Sequence, residues 1–325
     1  MSPLVGSERE AMTMRIFIAG ATGAIGRQLV PKLLERGHQV SALTRSASSE
    51  EAARALGAEP VEGDALDRES VIAAIKRAEP EVVVHQLTAI GKVDLRNLDR
   101  SFELTNRLRT EGTDALLAGA VAAGARRFVA QSFAGWPFAR VGGWVKTEED
   151  PLDDDPPSRT ERTLAAIKHL EAATGTRDLE GVVLRYGGFY GPGTSMAPDG
   201  QQAQEIRRRR FPIVGNGQGR ASFIHVDDAA EATALAIEAA APSSVYNIVD
   251  DEPAPVAEWL PHMAKVLGAK PPLHVPAWLA RLIAGKAAVV WSTEGRGASN
   301  AKAKRELGWQ PQFASWREGF AASMR

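Results

Sequence analysis

The chain has 325 residues, 44% of them hydrophobic, enough for one large α/β unit with a smaller appended lobe. Its 39 basic and 40 acidic side chains leave a net charge of −1, without the surplus that nucleic acid or an anionic membrane demands, so a small molecule is the expected partner, with a homodimer allowed. The absence of cysteine excludes disulfides, thiolate catalysis and Cys-ligated zinc, and points to the cytoplasm.

In chain order, residues 1–13 lack the basic start and apolar core of a signal peptide and read as a loose tail. Strands are predicted over Arg15–Ala19, Gln39–Thr44, Val82–His85, Arg127–Ala130 and Gly181–Tyr186, each apolar and bounded by charge or turn residues. Between them, apolar positions recurring at three and four predict helices over Ile25–Arg36, Glu50–Leu56, Arg68–Arg77, Asn106–Ala123 and Glu161–Ala173. Such βαβα alternation predicts a doubly wound parallel sheet over residues 14–186, covered on both faces. From 187 to 325 the chain is glycine-rich and proline-broken, which predicts a small C-terminal substrate lobe, with a return to the sheet near "SVYNIV". The Arg207–Arg210 run reads as a solvated helix end, with a site for an anionic substrate as the alternative. Val275–Trp291, broken by Arg281, Gly285 and Lys286, is too short to span a bilayer and reads as a buried or lid-forming helix.

Three glycines, Gly20, Gly23 and Gly26, stand between the first strand and an amphipathic helix. The first permits the tight turn, the second admits a pyrophosphate to the backbone, and the third lets the helix pack close with its positive end toward the anion. The loop therefore predicts a dinucleotide. At the end of the second strand, "SALTRS" offers no carboxylate for a ribose hydroxyl but places Arg45 beside Thr44 and Ser46, which favours NADP over NAD. Asp64 follows the third apolar patch and can cap its turn or accept from the adenine amine.

The segments "IFIAGATGAIGRQLV", "GDALD", "VVVHQLTA", "TNRLRTEGTDALLAGAVAAGARRFV", "LRYGGFYGPGT", "SFIHVDDAAEA", "VYNIVDDEP" and "AKAKRELGWQP" resemble, in that order, the signatures of the extended short-chain dehydrogenases, the NAD-dependent epimerase/dehydratase family. The resemblance implies a Rossmann-type doubly wound parallel sheet, a small C-terminal substrate lobe and a nicotinamide cofactor. It implies cofactor contacts from Gly20, Ala21, Thr22, Gly23, Ala24, Ile25 and Gly26, from Thr44, Arg45, Asp64 and Ala65, from Leu87, Thr88, Asn106 and Gln131, and from Tyr186, Gly187 and Gly188. It places Phe189 and Tyr190 on the substrate side.

Members of this family carry a Tyr and, four residues later, a Lys on one helix, so that the ammonium lowers the phenol's pKa for acid–base work. The present chain lacks the pair: registering "SRTERTLAAIKHLEAA" on Glu171 puts Thr163 and Ile167 there, and registering on Arg185 puts Ser158 and Arg162. Phe133 stands where the family has its catalytic hydroxyl, with Ser132 one position earlier. Where sugar-nucleotide members bind a diphosphate through an Arg, this chain has Ala221, with Arg220 one residue off. The "SFAGWPFARVGGW" loop, with Phe133, Trp136, Phe138 and Trp144, suits a hydrophobic or ring-bearing substrate instead. The candidate catalytic residues are Ser132, Glu148, Thr163 and Lys168. His225, Asp227 and Asp228 read as a helix opening capped by the aspartates rather than as a metal site. The expected activity is an NAD(P)-dependent oxidoreductase or epimerase-like enzyme acting on a small hydrophobic metabolite. The alternatives are a catalytically silent NADP-binding sensor and a non-redox dehydratase or cyclase.

Overall fold

The computed structural model describes residues 13–324 apart from 92, 176 and 177. The tail expected over residues 1–13 thus lies outside the described residues except for Thr13.

Seven strands form the central sheet: β1 (Arg15–Ala19), β2 (Gln39–Thr44), β3 (Glu59–Glu62), β4 (Val82–His85), β5 (Arg127–Phe133), β6 (Glu180–Tyr186) and β7 (Ser244–Ile248). Their order is β7-β6-β5-β4-β1-β2-β3 and every neighbouring pair is parallel. This is the doubly wound Rossmann arrangement. The order reverses between β1 and β4, and ligands of such sheets bind at that switch point, beyond the carboxyl ends of the strands. Val82 to His85 are all buried, as expected of a strand covered on both faces. β3 was not singled out in the sequence because only Val61 of its four residues is buried, and Pro60, which has no N–H to donate, is tolerated there because the strand lies at the sheet edge.

One face of the sheet is covered by the helices Gly26–Glu35, Val226–Ala239 and Ala301–Leu307, whose apolar sides share a core with Ile16, Ile18, Val84 and Trp309. The other is covered by Arg68–Ala78, Thr113–Ala122 and Glu161–Thr174 around Phe17, Val83 and Phe128. A third core, built on Tyr190, Phe223, Trp259, Trp316 and Phe320, belongs to the C-terminal lobe. Helix Ala277–Glu294 bends at Gly285, whose φ of 86° and ψ of 174° are open to glycine alone, and its first half leaves Trp278 and Leu282 exposed.

The helix expected over Asn106–Ala123 is three pieces: Glu103–Arg107, a π-helical turn at Leu108–Gly112, and Thr113–Ala122. The wider turn frees carbonyls, and side-chain hydroxyls answer them: Thr110 Oγ1 donates to Asn106 O at 3.0 Å and Thr113 Oγ1 to Arg109 O at 2.8 Å.

Candidate active site

The glycine loop fits a dinucleotide on geometric grounds. Gly20 has φ +107°, and a Cβ there would stand 2.7 Å from the Gln86 carbonyl oxygen. At Gly26 a Cβ would come within 2.4 Å of the carbonyl oxygens of both Gly20 and Ala21. Neither position admits a side chain. Helix Gly26–Glu35 starts at Ile25 without a side-chain cap; Arg27 N already donates to Gly23 O at 3.0 Å and Gln28 N to Ile25 O at 2.9 Å, so of its first N–H groups the one at Gly26 stays available to an anion. Ala21 and Ile25 are buried, while Thr22 and Ala24 lie nearer the surface.

At the end of β2, Thr44 Oγ1 is buried without a partner. The exposed Arg45 side chain makes no hydrogen bond or ion pair among the described residues, and its own N–H donates to Ser49 Oγ at 3.2 Å. Next to it, Ser46 and Ser49 cap helix Ala47–Ala55 reciprocally, and Ser46 Oγ lies 3.0 Å from Ser48 Oγ. A free guanidinium beside three hydroxyls is a ready phosphate contact. After β3, the Asp64 carboxylate accepts from Leu66 N at 2.9 Å, closing the turn that carries the buried Ala65.

β4 ends in His85. Burial holds its pKa down to about 4, and its Nε2–H donates to Leu108 O at 3.2 Å, so the ring is neutral at physiological pH. Leu87 and Thr88 leave the strand beside it, and Ala89 N donates to Thr105 Oγ1. Gln86 Nε2 donates to Tyr186 Oη at 3.1 Å, and Tyr186 also meets Thr233, which directs the phenol into the core below the sheet. The backbone that follows is engaged as well: Gly187 N donates to Ile248 O at 3.1 Å and Gly188 N to Ser222 O at 2.8 Å.

At the carboxyl ends of β5 and β6 the candidate catalytic residues separate. Ser132 Oγ donates to Glu171 Oε1 at 2.6 Å, and Glu171 is held by Arg185 through two bonds of 2.8 and 2.7 Å. Arg185 also lies over the Phe138 ring. The Thr163 hydroxyl donates to Asp99 Oδ1 at 2.8 Å and accepts from Asn106 Nδ2 at 3.1 Å. Asp99 accepts Thr163 N as well, so a carboxylate from a remote segment caps helix Glu161–Thr174. With both partners fixed, this hydroxyl has no proton to offer a ligand. Lys168 points outward to Asp154 at 2.7 Å. Glu148 Oε1 accepts Asn247 N at 2.8 Å, an anchor to β7, and burial raises its pKa.

The aromatic residues also divide. Phe133 and Phe189 are half-buried, Phe189 against the Tyr186 ring at 5.4 Å, Trp136 packs against Trp291 at 5.6 Å, and Trp144 lies exposed beneath the Arg296 guanidinium. Tyr190 is fully buried in the lobe core between His225 and Phe320. Gln131 is half-buried on β5.

The expected aspartate cap at residue 225 is corrected. His225 Nδ1 itself accepts Asp227 N, Asp227 pairs with Lys32, and Asp228 accepts from Gln312 N and Phe313 N. Among the described residues no group of three His, Cys, Asp or Glu side chains could hold a metal, and no helix is long and apolar enough to cross a membrane. A polar hollow beside Arg15, Lys76 and Glu79 lies at the opposite, amino-terminal edge of the sheet, away from the glycine loop. Two residues that the sequence reading did not single out are Asp99, whose role depends on a helix 60-odd positions away, roughly the span over which no local pattern carries information, and Arg109, buried without a partner.

The profile of the NAD dependent epimerase/dehydratase family matches residues 16–249. A "3-diazoavenalumate denitrifying reductase" from a Streptomyces species is 47% identical over 308 residues, 94% of this chain and 99% of that protein. A "4-hydroxy-2-methyl-3-oxo-4-farnesyl-3,4-dihydroquinoline-1-oxide ketoreductase" from Stigmatella aurantiaca is 30% identical over 86% of this chain and 81% of its own length. Among solved structures, the UDP-glucose 4-epimerase of Thermotoga maritima with UDP-glucose shares the fold, with a TM-score of 0.73 and 24% identity over 95% of this chain and 97% of that one. With its seven-stranded sheet and glycine loop, the chain belongs to the NAD dependent epimerase/dehydratase family, as an NAD(P)-dependent enzyme of the oxidoreductase and epimerase type that lacks the Tyr-x-x-x-Lys pair.

Proposed function

We propose that this protein is an NADPH-dependent reductase that removes the diazo group of an aromatic substrate as dinitrogen. The observation that carries the reading is the state of Thr163: the residue in the tyrosine place has its hydroxyl tied between Asp99 and Asn106, and Ile167 stands in the lysine place. Reduction of a carbonyl creates an alkoxide that needs a proton, and a site without a donor serves that reaction poorly. A diazonium carbon needs none. It accepts a hydride, its C–N bond breaks, and the electron pair leaves with dinitrogen. Arene, dinitrogen and oxidised cofactor are the only products. The 47% identical relative carries a diazo compound in its name, which supports the same chemistry here.

Bound in the cleft, the dinucleotide supplies that hydride. Gly20, Gly23 and Gly26 would receive its pyrophosphate, and Arg45 with Ser46 its 2′-phosphate, which is our ground for preferring NADPH to NADH. Phe133, Trp136, Trp144 and Phe189 would form the wall against the substrate ring. Ser132 would orient the substrate, while its own proton stays with Glu171. Residues 14–186 would thus form the dinucleotide unit and 187–325 mostly the substrate lobe. A cysteine-free chain suits the reducing cytoplasm.

The test is an anaerobic incubation of the protein with NADPH deuterated on the transferred position and an aromatic diazo compound. Dinitrogen release with deuterium on the ring carbon is expected. Cofactor oxidation with ketones but not with the diazo compound, or an undeuterated arene, would overturn the reading.

A further inference from the structure

Arg109 lies in the π-helical turn Leu108–Gly112 and is 6% exposed. Its Nη1 is sealed without a partner, and its guanidinium makes no hydrogen bond or ion pair among the described residues. Other buried arginines have a counter-charge: Arg127 has Glu180 and three carbonyls, and Arg185 has Glu171 although its Nη1 is also without a partner. Burial lowers the pKa of Arg109 to about 10, which leaves it charged at neutral pH. A buried charge without its counter-charge is strongly destabilising, so the fold itself gives no reason to keep this one.

Its place follows from two contacts between neighbouring helices. Asn106 meets Thr163 at 3.1 Å, and Asp114 meets His169 at 2.8 Å, so the two segments run parallel and in step. Arg109 is then level with Ala165 and Ala166. Arg107 and Glu111 pair with each other on the outer surface, which leaves Arg109 on the inner side, near His85 at the carboxyl end of β4. The charge stands near His85 at the carboxyl edge of the sheet, about half a helical turn short of the level of Ile167, which provides none.

We propose that Arg109 is a catalytic residue that binds an oxyanion on the aromatic substrate, a phenolate conjugated with the diazo group. This rests on the diazo-reductase reading. A phenolate feeds electron density toward the carbon that must accept the hydride, and a guanidinium on its oxygen draws that density back, favouring the diazonium form. The hydride then adds to the ring carbon, the C–N electron pair leaves with dinitrogen, and the oxygen remains a phenolate paired with Arg109. No proton moves, so a group that keeps its protons at neutral pH is sufficient.

Arg109→Met and Arg109→Lys in the full chain test this with readouts that need no diazo substrate, set beside turnover of the diazo compound. The first is the ionisation of para-nitrophenol, followed by absorbance with NADP bound. In the wild type the bound phenol should ionise at lower pH than in Arg109→Met by about one pH unit, a tenfold shift in equilibrium, with Arg109→Lys intermediate. The second is NADPH affinity by fluorescence, expected to stay within about twofold in both variants while hydride transfer to the diazo compound falls at least about a hundredfold in Arg109→Met. The thermal midpoint of Arg109→Met should equal or exceed the wild type, because an unpaired charge has been removed. Identical phenol titration in wild type and Arg109→Met, including no binding in either, overturns the proposal. Loss of NADPH binding would reassign the charge to the cofactor, and a lowered midpoint would reassign it to the fold. If the wild type shifts the phenol but releases no dinitrogen, the diazo reading fails while the oxyanion site stands.

Discussion

The two ends of the cleft obey different rules. At the glycine loop, two residues are dictated by backbone space alone: a Cβ at Gly20 or Gly26 would overlap carbonyl oxygens. At the helix Glu161–Thr174, the positions that carry acid–base chemistry in related proteins hold Thr163 and Ile167, and the first is built into the fold by Asp99 and Asn106. Cofactor binding is a steric requirement shared by every reaction the fold supports, whereas the proton donor is needed only by some. A chain that keeps the first and ties the second into packing retains the requirement common to all these reactions and gives up one that only some of them use.

Four measurements break or sharpen this contrast. The largest effect belongs to the buried network at the carboxyl ends of β5 and β6. Glu171→Gln leaves Arg185 without its counter-charge and should lower stability by about 3–5 kcal/mol in a denaturant titration. A loss below about 1 kcal/mol would mean that the edge is not structural. Next is pH. His85 is depressed to about 4 in the folded state against 6.5 unfolded. Its contribution is present above pH 6.5 and is lost as pH falls toward 4, where folding forces the unfolded chain to release a proton it has bound. Stability should fall by about 3 kcal/mol across that window, and His85→Gln should flatten the fall. At the cofactor edge, Arg45→Ala should erase an NADPH preference of about 1.5 to 3 kcal/mol while NADH binding is unchanged, read by calorimetry. Equal affinities in the wild type would end that assignment. Smallest is Lys168→Ala. The exposed pair with Asp154 contributes about 0–1 kcal/mol, and turnover should be unchanged. A slowed reaction would return Lys168 to the candidates.

Much of the sheet was legible because its strands are short apolar runs with charged or turn boundaries, and the glycine loop because backbone space leaves no alternative residue at Gly20 and Gly26. The return of Ser244–Ile248 to the sheet was legible for the same reason. The catalytic edge was not. The extra residue accommodated at Leu108–Gly112 leaves the apolar period of the helix nearly intact, so the sequence reads through it. Asp99 looks like any loop aspartate until the fold sets it under Thr163, and nothing near Arg109 announces that its charge is unanswered. The cap at residue 225 shows the same limit: an aspartate pair in the first turn matched the usual preference, but Asp228 is engaged by the backbone of Gln312 and Phe313, and the histidine does the capping.

That engagement of Asp228 has a consequence for how the molecule is made. Leu307 and Trp309 share one core with Met14, Leu29 and Val40, and the Trp309 indole donates to the Asp228 carbonyl oxygen. A ribosome releasing the chain from its amino end would present a complete glycine loop long before the residues that seal the face beneath it. Contacts of such sequence separation form slowly. The nascent nucleotide unit should therefore stay open to proteases until nearly the last helix emerges, and chains cut before Trp309 should be cleared even though every residue of the cofactor loop is present.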